Sequence, residues 1–143
     1  MKTYVQPYLV FGGRCEEAIE FYRGALGAQV EVMMRWKDCP DAKPGTIPPG
    51  VENKVMHASF KVGDTAIMAT DGMNQGQPAS FQGFSLAITV PSDADAKRRF
   101  DLLAEGGQVQ QPITKTFFTS SFGVLTDRFG VSWMIVAETE PSR

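Results

Sequence analysis

The sequence predicts an α+β fold built from two βαβββ modules in tandem. Three observations predict it. The order strand, helix, strand, strand, strand runs over about 4–71 and restarts over about 83–137. Each half holds one segment of helical apolar spacing among segments that alternate. A polar stretch rich in Gly, Gln and Asn, about 72–82, separates the halves as a linker. With 143 residues the chain has the length of one domain. Each module alone leaves one sheet face unburied, and two modules side by side are expected to close that face into a cleft.

Residues 4–11 alternate and are rich in Val, Tyr and Phe, as a strand requires, and Gly12-Gly13 ends them. A helix is expected over 14–26. Cys15, Ile19, Tyr22 and Leu26 recur at helical spacing, Glu16 and Glu17 occupy the dipole-favoured first turn, and Gly27 caps the end. The next strand is 29–36. The segment 37–53 carries four prolines and two glycines and is expected to be a long loop, a lid or a dimer contact. Strands 55–62 and 65–70 flank a tight Gly63-Asp64 turn. In the second half, 84–90 is a strand. Ser92 opens a helix with Asp95 as its capping partner, Ala96, Phe100 and Leu103 form the buried stripe, and Gly106-Gly107 closes it. Strands follow at 109–113, 122–126 and 131–136, the last two joined by Asp127-Arg128-Phe129-Gly130.

Composition excludes several classes. Net charge is −2, and the Lys97-Arg98-Arg99 run sits among Asp93, Asp95 and Asp101 as the wet side of a helix, so no basic face points to nucleic acid. No apolar run approaches the ~20 residues of a membrane helix. The N-terminus lacks the apolar block of a signal peptide, and Cys15 and Cys39 form no CxxC motif. A reduced, cytoplasmic setting is expected.

The string YLVFGGRCEEAIEFYRGALGAQV (8–30) resembles the opening of vicinal-oxygen-chelate modules, in particular the PhnB-like branch of the glyoxalase, bleomycin-resistance and dioxygenase superfamily. ENKVMHASFKVGDTAIMATD (52–71) and DRFGVSWMI (127–135) resemble other signatures of that branch. The resemblance spans 4–137 and implies the glyoxalase-like fold, a homodimer and a ligand cleft. It does not fix the chemistry, because one fold hosts many activities. Some members of the branch are named 3-demethylubiquinone-9 3-methyltransferase. Gly12-Gly13 lacks the spacing of a nucleotide-binding glycine turn, and the predicted fold is not doubly wound.

The resemblance also implies where a divalent metal would sit, since metal-dependent members carry His or Glu on the first and last strand of each module. Here those positions fall near Pro7, Met68, Ser85 and Met134, and one residue either side brings no His, Asp or Glu. Hard and borderline ions want carboxylate, imidazole or water. No cofactor is therefore expected, with a divalent metal on displaced ligands such as His57, Glu52 and Asp71 as the superfamily's alternative.

The candidate site residues follow. His57, the sole histidine, is the candidate acid/base, with a histidine bonded within the sheet as the plainer reading. Gln6 and Tyr8 share one face of the first strand, and Ser59 shares a face with His57. Ser85 shares a face with Ala87 and Thr89. Met68, Met134 and Trp133 lie on the last strands of the two modules. Arg35 and Trp36 stand at the mouth of the proline-rich loop, where charge and stacking would clamp a ligand. Phe118 belongs to a loop with Phe117 that lines a pocket or an interface. The expected function is binding of a small organic molecule in a metal-free cleft. The alternatives are a metal-independent isomerase, lyase or transferase using His57, and a metal-dependent glyoxalase or dioxygenase type.

Overall fold

In the computed structural model, residues 3–39, 47, 49–72 and 79–138 are described. Parts of the proline-rich loop (40–46 and 48) and most of the linker (73–78) lie outside them. The chain divides into two compact units, 1–79 and 80–143. Among the described residues no helix is long and apolar enough to cross a membrane.

The first unit runs β1 (Tyr8–Val10), α1 (Cys15–Leu26), β2 (Gln29–Arg35), a single 3-10 turn (Trp36–Asp38), β3 (Val55–Val62) and β4 (Thr65–Thr70). Its sheet order is β1-β4-β3-β2, with β1 parallel to β4 and the other pairs antiparallel. The second unit repeats this with β5 (Leu86–Val90), α2 (Asp93–Ala104), β6 (Gln108–Thr114), β7 (Phe122–Thr126) and β8 (Ser132–Ala137), in the order β5-β8-β7-β6. Both modules therefore have the element order read from the sequence.

In each unit the helix covers one face of the sheet. Cys15, Ala18, Ile19, Tyr22, Ala25 and Leu26 form the buried stripe of α1. Tyr22 stacks on Phe60 of β3 with ring centroids 5.9 Å apart. The helix ends at Gly27 (φ 68°), whose N–H donates to the Arg23 carbonyl as a left-handed cap should. In α2 the Ser92 hydroxyl accepts from the Asp95 N–H at 3.1 Å. The Asp95 carboxylate turns instead to Arg98 and Arg99. The α2 ring of Phe100 lies directly on β7 at Gly123, where a Cβ would come within 2.6 Å of it. That contact is why a residue without a side chain occupies the middle of this strand.

Several element ends shift from the sequence reading, and three of the shifts touch candidate site residues. β1 covers only 8–10, because residues 4–7 lie beyond its ladder with β4, apart from one bond from the Met68 N–H to the Pro7 carbonyl. β2 stops at Arg35, and Trp36 begins the 3-10 turn instead of ending the strand. β5 starts at Leu86, so Phe84 and Ser85 precede it.

Candidate functional site

The side of each sheet away from its helix is where the half-buried, chemically varied side chains gather. In the first unit, Tyr8 pairs with Met68, Met68 with Ser59 and Ser59 with Val32. This row crosses all four strands on one face, while the neighbours Leu9, Ala69 and Ala58 are buried toward α1. His57 lies one step along the same face, opposite Met34. Its ring sits 6.0 Å from that of Tyr8, tilted by 39°. Among the described residues the imidazole makes no hydrogen bond.

A bulge sets this face. Between Met34 and Arg35, β2 advances one residue while β3 advances two, from His57 to Val55. The extra residue, Met56, breaks the alternation and lets Val55 join Ala58 in the core while His57 stays on the open side.

The second unit repeats the arrangement. Ala87 pairs with Met134, Met134 with Val124 and Val124 with Gln111. Met134 thus holds in its sheet the place Met68 holds in the first. The Ser85 hydroxyl bonds the Ser132 hydroxyl at 2.7 Å.

Other expected site residues are placed elsewhere. Trp133 points to the opposite side from Met134. It is 2 % exposed and its indole N–H donates to Asp127 at 2.8 Å, so it is a core residue of the helix side. Alternation puts adjacent strand residues on opposite faces, so Trp133 does not line the face that Met134 occupies. Arg35 is held by Glu16 in a two-pronged ion pair (3.1 and 2.8 Å) and donates to the Asn53 carbonyl, so it ties β2 to the start of α1. The Arg35 bond holds Glu16 below the usual carboxylate range against a smaller opposing effect of burial. The Trp36 indole N–H is buried without a partner among the described residues. Gln6 is exposed ahead of β1, and Phe118 is half-exposed.

A polar recess of about 320 Å³ opens beside Glu16, Arg35, Asn53, Lys54 and Asp71. Its charged groups are matched within the fold. Asp71 takes the Gly13 and Cys15 N–H groups on Oδ1 (3.0 and 2.7 Å) and the Val55 N–H on Oδ2 (2.8 Å). Lys54 donates to the Gly13 carbonyl. Asp71 is thus a cap for α1 supplied from the far end of β4. Burial first, then Asp71 and Glu16, push the Cys15 thiol up, which leaves it protonated and inert. Asp127 has the same character in the second unit, accepting from the Phe129 and Val131 N–H groups and from Trp133.

The model of the Glyoxalase/Bleomycin resistance protein/Dioxygenase superfamily matches residues 4–135. The chain belongs to this superfamily. It is 33% identical to Protein YjdN of Escherichia coli, over 97% of this chain and 99% of that one. The crystal structure of PA1353 from Pseudomonas aeruginosa is 41% identical and superposes with a TM-score of 0.83, covering 96% of this chain and 98% of that one. A Bacillus cereus PhnB protein, provisionally named 3-demethylubiquinone-9 3-methyltransferase, is 26% identical with a TM-score of 0.75, covering 94% and 99%.

Metal-dependent members of the superfamily prompt a test of the donor set. The register puts Tyr8 beside Met68 and Ala87 beside Met134, and the Ser85 hydroxyl is engaged by Ser132. Among the described residues no three His, Cys, Asp or Glu side chains converge. The Asp71 carboxylate, one of the displaced-ligand candidates, is turned to the start of α1. Thioethers, a phenol and paired hydroxyls do not fit a hard or borderline divalent ion.

Proposed function

We propose that this superfamily member binds a small organic molecule on the helix-free faces of its sheets, with its own side chains and no divalent metal as the recognition groups. One observation carries the reading. Tyr8, His57, Ser59 and Met68 meet on one open face although they come from three strands, and His57 has its ring nitrogens unengaged there among the described residues. A mixed aromatic, thioether and hydrogen-bonding surface of this kind suits organic ligands.

Methyl-labelled methionine reads the face directly. In a screen of neutral, anionic and cationic fragments, at least one is expected to move the Met68 methyl resonance. His57→Ala should then weaken that fragment about tenfold, the worth of one hydrogen bond to a polar group. Met68 and Met134 methyl signals both unmoved by every fragment at millimolar concentration sink the proposal.

The unengaged imidazole also supports a second reading, in which His57 moves a proton on the bound molecule. Turnover of an identified ligand that survives His57→Gln would exclude it.

A homodimer is part of the proposal. The family resemblance supports it, as does Phe117, which is 90 % exposed at a loop tip. Light scattering at micromolar concentration should give twice the chain mass, and a monomer counts against it.

A further inference from the structure

None of the four strands of the second sheet contains Asp, Glu, Lys, Arg or His. The chain as a whole is 21% charged, and the strands of the first sheet include Glu31, Arg35, His57 and Lys61. A sheet with one face open to water ordinarily alternates apolar with charged or strongly polar residues. Here Ala87 and Thr89 are exposed, and Phe122, Val124, Thr126, Ser132, Met134 and Val136 are only partly buried. The four strands therefore place no charged side chain on the open face.

That surface is graded along the strands. At one end, Ser132 pairs with Thr126. Ser85 bonds Ser132, and the Thr126 hydroxyl donates to Gln110 Oε1 at 3.0 Å. These groups are neutral donors and acceptors. Met134 and Val124 occupy the middle. At the other end Phe122 lies beside Val136, and its ring meets Phe118 edge-on at 5.5 Å, with Phe117 a further 5.2 Å beyond.

The aromatic end is braced. Thr116 Oγ1 accepts from the Phe118 and Thr119 N–H groups. The Thr119 hydroxyl donates to the Ala137 carbonyl at 2.6 Å. Ser120 and Ser121 both donate to Asp93. The loop thus fixes the backbone at Phe118 beside Phe122, and rigid aromatic anchors lose little entropy on binding.

We infer that the second sheet's open face selects uncharged amphipathic molecules, with a planar ring set against Phe122 and Phe118 and a hydroxyl or carbonyl against the Ser85–Ser132–Thr126 end. The inference rests on the binding function proposed above and names its ligand class. The complementarity is one of charge. An anion or cation seated here loses water without gaining a counter-charge, whereas a neutral hydroxyl exchanges one hydrogen bond for another.

Three probes sharing one ring system test it at pH 7: 2-naphthol, 2-naphthoate and naphthalene, titrated into the full chain by backbone amide NMR. 2-Naphthol is expected to bind tightest and to move the amides of β7 and β8. 2-Naphthoate should be weaker by at least about tenfold. Ser132→Ala should erase the preference for 2-naphthol over naphthalene, and Phe118→Ala should weaken both by about tenfold. Phe118 is half-exposed, so Phe118→Ala is expected to keep the fold, which its unliganded amide spectrum checks. 2-Naphthoate binding as tightly as 2-naphthol on β7 and β8 overturns the ligand class and leaves the binding function standing. Shifts confined to Tyr8, His57 and Met68 overturn the role of the second sheet alone. No shift from any of the three probes overturns the inference, and the Met68 methyl screen then judges the binding function separately.

Discussion

Asp127→Ala is expected to destabilise the second unit by about 3–5 kcal/mol. The carboxylate is 3 % exposed and serves the Phe129 and Val131 N–H groups on Oδ1 and the Trp133 indole N–H on Oδ2. Alanine leaves those donors buried and unanswered, at roughly 1–3 kcal/mol each before partial rehydration. The corresponding fall in Tm is roughly 10 °C. Asp127→Asn separates the parts. Its amide oxygen can keep the two backbone bonds while its NH₂ meets the Trp133 N–H, donor against donor. Removing that donor with Trp133→Phe should make Asp127→Asn cheaper than it is alone by about 1–2 kcal/mol in a double-mutant cycle. Additive effects would show that the Asp127–Trp133 bond carries no stability.

Asp71→Ala is the counterpart in the first unit, with an expected loss of about 3–5 kcal/mol in chemical denaturation. Here the lost acceptor served the start of α1, through the Gly13 and Cys15 N–H groups, and the start of β3, through Val55. Hydrogen exchange should speed up first at those three amides. A loss below about 1 kcal/mol would mean that water replaces the carboxylate, contrary to its 4 % exposure.

The fold was legible because local rules and global order agree. The stripe of α1, the Gly27 cap and the Ser92 hydroxyl cap were all written in single residues at fixed offsets. The two-module order needed only the alternation between helical and strand spacing. The PhnB-like strings pointed to the family that the match over 4–135 establishes.

The geometry of the candidate site was legible in part. Tyr8, Ser59, Met68 and His57 do share a face, and Ser85 does lie at the edge of its counterpart. What failed depended on register and on long-range contacts. Trp133 was grouped with Met134 because both lie on the last strand, but one residue of offset reverses the face. The bulge at Met56 decides which β3 side chains reach the core, and no local signal marks it. Arg35 was read as a ligand clamp because its partner Glu16 lies nineteen residues away on another element. Asp71 was named only among displaced-ligand candidates because its donors lie up to fifty-eight residues away. Phe122 was recognised as a strand residue, but its ring contact with Phe118 depends on how the preceding loop is braced.

The parallel pairing of β1 with β4 has a consequence for the order of assembly. Tyr8 meets Met68 across about sixty residues, whereas β3 and β4 meet across the two-residue Gly63-Asp64 turn. Chain entropy rises only slowly with loop length, but the longer closure gains nothing until its far end is in place. The β3–β4 hairpin is thus the natural nucleus, and β1 docks after it, with Asp71 bonding Gly13 and Cys15 as the last latch. A latch that forms after the rate-limiting step governs escape and not entry. In a chevron plot, Asp71→Ala should therefore act mainly on the unfolding limb through the lost Gly13 and Cys15 bonds, with a smaller slowing of folding from the lost Val55 bond at the open end of the hairpin.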